Sequence, residues 1–95
     1  MRKYEVVIVM RGDLADEDRT SQLDTIQGWI KASDGNVVKV DHWGRRRLAY
    51  QIRNQRDGYY TLILAELPAQ APAEIERNLR ISENVLRFLI TREDE

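Results

Sequence analysis

The chain has no cysteine, so disulfides and thiolate chemistry are excluded, and a reducing cytosol is the compartment that fits. Its one histidine, His42, lies in a charged stretch with no cysteine or second histidine to join it at a metal, and reads as an ordinary surface residue. The five glycines, Gly12, Gly28, Gly35, Gly44 and Gly58, are scattered, so no phosphate-cradling loop is present. The apolar run after Tyr4 is broken at Arg11, too soon to span a bilayer or to form a signal-peptide core. Asp16, Glu17 and Asp18 crowd together where a helix should begin, and capping explains them better than acid–base work. The expectations are a soluble intracellular domain, 1–95, with no catalytic residue, no metal ligand, no cofactor, no membrane partner and no small-molecule substrate.

What is there is charge, unevenly spread. The formal net charge is only −1 over 95 residues. Yet between residues 39 and 56 stand Lys39, Arg45, Arg46, Arg47, Arg53 and Arg56 against Asp41 alone. Arg77, Arg80, Arg87 and Arg92 follow against Glu83. Acid collects at Asp13, Asp16, Glu17, Asp18 and Asp24, and in a short acidic end, Glu93-Asp94-Glu95. A chain that is neutral in sum can still present a focused positive face.

The hydrophobic pattern predicts six elements. Residues 3–10 are β-branched and aromatic, with Tyr4, Val6, Ile8 and Met10 on one side; Val7 and Val9 are also apolar, which suits a central strand. Leu23, Ile26 and Ile30 make a helical stripe over about 17–33, with Trp29 at its border. Asp16 or Asp18 is the expected N-cap, and Gly35 the expected left-handed residue at the other end. A second strand runs from Val37 to Ile52, and the polar stretch Asn54–Gly58 reads as the hairpin connection. Tyr59 to Leu67 is a third strand. Pro72 suits a first helical turn, with Ile75 and Leu79 as the apolar stripe of a short helix. Val85 to Arg92 is a last strand with Leu86, Phe88 and Ile90 on one face.

The order βαββαβ predicts an α+β, ferredoxin-like sandwich: a four-stranded antiparallel sheet with two helices on one face. The other face has no helix to cover it, and a bare face must be solvated or bind something. Strand alternation puts Arg45 and Arg47 with Trp43 and Ala49, and Arg46 with Leu48, Tyr50 and Ile52. Buried Leu48 and Ile52 would fix the guanidiniums, whose forks match phosphate oxygens. Charge alone leaves a second reading open, in which the arginines merely protect an edge strand from aggregation.

The stretch Gly44-Arg45-Arg46-Arg47-Leu48-Ala49-Tyr50-Gln51-Ile52-Arg53 resembles the signature of the bacterial small-subunit ribosomal protein S-six family. Arg2, Tyr4 and Glu5, Gly58-Tyr59-Tyr60, and Asn84-Val85-Leu86-Arg87 extend the likeness over residues 1–92. Gln51 departs from it, since many relatives have proline after the tyrosine. The resemblance implies a cytoplasmic, ribosomal scaffold that binds the central domain of small-subunit ribosomal RNA as a heterodimer with a small basic protein, ribosomal protein S-eighteen. It puts Arg2, Tyr4, Arg45, Arg46, Arg47, Tyr50 and Arg87 at the RNA or partner surface.

Two other readings compete. A small-molecule regulatory domain would use the same fold with a closed pocket, since fold alone decides nothing. An RNA-recognition motif would need paired aromatics on its central strands. Tyr59 and Tyr60 are adjacent, point to opposite faces and cannot share such a platform.

Overall fold

A computed structural model describes residues 1–93; Asp94 and Glu95, most of the expected acidic end, lie outside the described residues. The elements are β1 (Arg2–Arg11), α1 (Asp16–Ala32), β2 (Asn36–Ile52), β3 (Gln55–Leu67), α2 (Ala71–Arg80) and β4 (Val85–Arg92). The strands form one sheet in the order β2-β3-β1-β4, every neighbouring pair antiparallel. This is the ferredoxin-like arrangement that the alternation of strand and helix periodicities predicts.

The core lies between the sheet and the helices. Val6, Ile8 and Met10 of β1, Ile63, Ala65 and Leu67 of β3, Leu23, Ile26 and Ile30 of α1, and Ala71, Ile75 and Leu79 of α2 form one buried cluster with Val85. Tyr4, Trp29, Val37, Val40, Phe88 and Ile90 pack around it, half-buried. Thr61 sits in the middle of this layer, fully buried, and its Oγ1 has no hydrogen-bond partner among the described residues. A buried hydroxyl without a partner costs about 1–3 kcal/mol, whereas valine has nearly the same shape and nothing to satisfy. Thr61→Val is therefore expected to raise the unfolding free energy by about 1 kcal/mol in urea titrations; a lower value would mean that the hydroxyl is satisfied after all.

The helix ends differ from expectation. Residue 15, an alanine, occupies the N-cap of α1 with no side-chain hydrogen bond, so Asp16, Glu17 and Asp18 fall inside the first turn. There they favour the helix dipole rather than cap it. At the other end the left-handed residue is Asp34, at φ 65°, not Gly35. Asp34 N–H donates to Lys31 O at 3.1 Å and Gly35 N–H to Ile30 O at 2.9 Å, the paired bonds of a Schellman motif.

The β2–β3 turn is also tighter than residues 54–58 suggested. Ile52 pairs with Gln55, so Arg53 and Asn54 alone make the turn, both at positive φ (51° and 66°) as type I′ geometry requires. The polar residues Gln55, Arg56 and Asp57 belong to β3 because their alternation continues the ladder to the turn. Bulges overturn two facial assignments. Gly44, at φ 91°, lies in a register shift between His42 and Gly44. This moves Trp43 onto the face of Arg46 instead of that of Arg45 and Arg47. A second shift, where Met10 pairs with Val85 after Val9 pairs with Arg87, turns Leu86 away from Phe88 and Ile90 onto the opposite face.

Candidate nucleic-acid and partner interface

The β1–β3 ladder stops at Arg11 opposite Gly58. Beyond it, residues 47–57 form a two-stranded arm with no third strand beside it, and such a ribbon is marginal alone. The arm is held because it lies across the sheet face that carries no helix. Leu48, only 7% exposed, joins Val9 and Leu86 in a second apolar cluster, with Ile52 and Tyr60 packed around it. Gly58 permits the close approach: a Cβ there would stand 2.5 Å from Val9 Cγ1. The face expected to be bare is therefore covered by the arm at one end and open at the other.

The arm's tip has polar ties as well. Arg53 donates from one guanidinium nitrogen to Glu83 O at 3.3 Å and Val85 O at 3.2 Å. Gln55 Nε2 donates to Asp13 Oδ2 at 3.3 Å, and Arg11 grips the same carboxylate through two bonds of 3.1 Å. The hydrogen bond from Arg11 holds the Asp13 carboxyl below its usual value, against the opposing effect of desolvation, and raises the Arg11 guanidinium in turn. Asp13 thus stays an acceptor for Gln55 at neutral pH.

Anchored this way, the arginines project on both sides of β2. Arg46 stands opposite Gly58 on the open face, its Cζ 5.9 Å from the centre of the Trp43 ring. Trp43 stacks on Tyr60 at 6.5 Å between ring centres and 20° between planes. Arg45 and Arg47 point to the helix side, opposite Tyr59 and Asp57. Arg47 meets Asp57 in a 3.8 Å ion pair, with 77% of the arginine side chain exposed. Tyr50, 64% exposed, lines a shallow hollow of about 230 Å³ with Arg47 and Arg56.

Arg87 is exposed on the open face, opposite Val9, at the rim of a 330 Å³ depression floored by Val7, Val9 and Tyr60 and bordered by Leu89. Leu89 is 60% exposed, and with half-buried Val7, Leu62 and Leu64 it makes an apolar band that the arm does not reach. Glu5 and Lys39 flank Leu64 in one row at that end, Asp41 stands beside Leu62 in the next, and Glu66 stands opposite Lys3 beyond them.

The expected site residues therefore divide. Arg47 and Tyr50 lie on the arm and Arg45 and Arg46 at its base, while Arg87 shares the open face with Arg46 from β4, at the other edge of the sheet from β2. Arg2 and Tyr4 do not join them. Arg2 pairs with Leu67 at the far end of β1, about 30 Å along a ten-residue strand. Tyr4 packs against the main core from the helix side, and the two line a separate hollow with Arg92.

Sequence reasoning missed three residues. Arg19 of α1 lies over the Tyr59 ring at 3.8 Å and bonds Asp16 at 2.6 Å, adding a cation beside Arg45. Arg53 and Gln55 anchor the arm. Nothing local marks the role of Arg19, because its partner is distant in sequence. Arg53 left a trace, a basic residue where a two-residue turn prefers asparagine or glycine. Among the described residues no group of three His, Cys, Asp or Glu could hold a metal, and no helix is long and apolar enough to cross a membrane.

An α+β sandwich with an anchored arginine-bearing arm and an uncovered apolar band on its open face has the ferredoxin-like fold. A family model described as "Ribosomal protein S6" matches residues 3–92. The chain is 44% identical over 92 residues to the small ribosomal subunit protein bS6 of Alkaliphilus oremlandii, covering 97% of each. It is 43% identical over 95 residues to that of Moorella thermoacetica, covering 100% of this chain and 97% of the relative. The crystal structure of 30S ribosomal protein S6 from Thermotoga maritima superimposes with a TM-score of 0.91 at 26% identity, over 97% of this chain and 87% of that one. The chain belongs to the ribosomal protein S6 family, a family of small-subunit ribosomal proteins and not of enzymes, and its place is the ribosome in the cytoplasm.

Proposed function

We propose that the protein binds the central domain of small-subunit ribosomal RNA together with ribosomal protein S-eighteen, as a scaffold without catalytic activity. The observation that carries this reading is the division of the sheet's open face. At one end an anchored arm presents Arg46 beside the stacked Trp43–Tyr60 pair, with Arg45, Arg47 and Tyr50 exposed around it. At the other end the apolar band of Val7, Leu62, Leu64 and Leu89 lies among charges of both signs, Glu5, Asp41 and Glu66 with Lys3 and Lys39. Arginine forks and a stacked aromatic suit phosphates and unpaired bases. An exposed apolar band suits a protein partner, and Arg87 stands between the two regions. Arg2 and Tyr4 then form a separate contact at the sheet's far end. A near-neutral net charge is consistent with a partner that supplies much of the attraction to RNA.

The test is titration of a central-domain RNA fragment at two salt concentrations, with and without S-eighteen. We expect weak binding by the protein alone and binding at least about tenfold tighter with the partner, within the usual range of coupling between linked sites. The affinity should fall steeply with salt, as phosphate contacts require. No binding under either condition, with the fold confirmed by circular dichroism, would overturn the reading.

A further inference from the structure

The turn residue Arg53 is held at φ 51°, a left-handed conformation that asparagine, aspartate and glycine adopt far more readily than arginine. Nothing in turn geometry calls for a guanidinium there. The side chain, however, leaves its own hairpin and ends on the carbonyls of Glu83 and Val85, at 3.3 and 3.2 Å, at the start of β4. Between them, Asn84 O accepts the backbone N–H of Arg11 at 3.0 Å. Three successive carbonyls at the entrance to β4 are thus tied to the end of β1 and to the tip of the arm. β4 is the strand farthest from β2 in the sheet, so this tie carries the arm from one edge of the sheet to the other at one end of the open face.

We propose that Arg53 is a positioning residue: it latches the β2–β3 arm to the entrance of β4 and so fixes the geometry in which Arg47 and Tyr50 meet ribosomal RNA beside Arg45 and Arg46 at the arm's base. The inference rests on the RNA-binding reading above. Arg53 acts through the arm and touches no RNA itself. One terminal nitrogen of its guanidinium is spent on two backbone carbonyls of the same molecule, which fixes the direction of the side chain. Leu48 and Ile52 anchor the arm's underside through apolar contact, which resists lifting but is not directional. Hydrogen bonds to two fixed carbonyls set the angle at which the ribbon lies, and Gln55 on Asp13 supports it from the neighbouring residue pair. An unlatched arm would spend only part of its time in the binding geometry, and the apparent affinity falls by that fraction.

Arg53→Asn separates the latch from the turn. Asparagine suits the left-handed position better than arginine, so the hairpin is retained while the reach to β4 is lost. Two readouts are needed, both on the full chain. The first is affinity for the central-domain RNA fragment, with S-eighteen present, over a series of salt concentrations. The second is amide hydrogen exchange. We expect about tenfold weaker binding, corresponding to an arm that is binding-competent about a tenth of the time. The slope of log K against log salt should be unchanged, because no phosphate contact is removed. Amides of residues 47–57 should exchange faster while those of β1 and the inner half of β3 keep their protection, which also verifies the fold. Unchanged affinity would overturn the proposal. So would a slope shallower by about 0.7–0.9, the signature of one lost phosphate contact, or weaker binding with unaltered exchange in the arm. Failure of the unsubstituted protein to bind would remove the RNA reading instead, and the exchange data alone would still decide whether Arg53 fixes the arm.

Discussion

Replacing Arg46 and Arg47 together with alanine is expected to weaken binding of the central-domain RNA fragment about 100-fold while leaving the fold intact. Both guanidiniums are exposed, Arg47 on the arm and Arg46 at its base, on opposite faces of β2. A hydrogen bond to a charged group contributes about 1.5–3 kcal/mol, and two of them lost at the lower end of that range correspond to about a hundredfold in Kd. The stability side of the comparison is small. Arg47 is held by a 3.8 Å ion pair to Asp57 that is open to solvent, and such pairs contribute about 0–1 kcal/mol. Arg46 lies 5.9 Å from the Trp43 ring centre, at the outer limit of a cation–π contact. Thermal unfolding of the double variant should shift by no more than about 5 °C, and the salt slope should become shallower. Unchanged affinity with the fold intact would remove both arginines from the interface.

The largest expected loss of stability comes from the opposite side of the sheet. Ile63 is fully buried on β3, between Val6 of β1 and Val40 of β2 and beneath the helices. Ile63→Ala removes three carbons from a site walled by two neighbouring strands, whose ladders hinder collapse onto the cavity. A loss of about 3–4 kcal/mol is expected from comparable truncations, a large share of the roughly 5–15 kcal/mol that holds a domain of this size together. Urea titration should show a lower midpoint with little change in slope. Affinity for RNA, measured well below the unfolding transition, should stay within about threefold, because Ile63 faces the helices and the arm lies on the other face. A loss below about 1.5 kcal/mol would mean that the helices close over the cavity.

The elements and the main core were legible because their signals are periodic and local. Leu23, Ile26 and Ile30 repeat at helical spacing, and they are the residues α1 buries. Tyr4, Val6, Ile8 and Met10 alternate, and they face the helices as a central strand's inner side should. What escaped the sequence were the places where alternation slips by one. Gly44 and the residue pair at Val85 and Leu86 each insert an extra residue. Strict counting then assigns Trp43 to the face of Arg45 and Leu86 to that of Phe88, both incorrectly. The anchoring of the arm was half legible. Leu48 and Ile52 read as buried from their chemistry, but nothing near Arg53 or Arg19 in the chain names their distant partners. The arginine run itself was plain; which of its members share a face depended on the bulge.

The sheet order also governs when each part of the molecule can form. β1 is synthesised first, yet its two neighbours, β3 and β4, are made later, and β4 last of all. The central strand must wait, its apolar side chains unpaired, until most of the chain has left the ribosome that makes it. The β2–β3 hairpin is different, since its ladder joins segments separated only by a two-residue turn and closes a short loop at low entropic cost. The ribbon that carries Arg45, Arg46 and Arg47 is therefore the part of the sheet able to pair before β4 exists, and it gains its underside of Val9 and Leu86 only when the first and last strands meet.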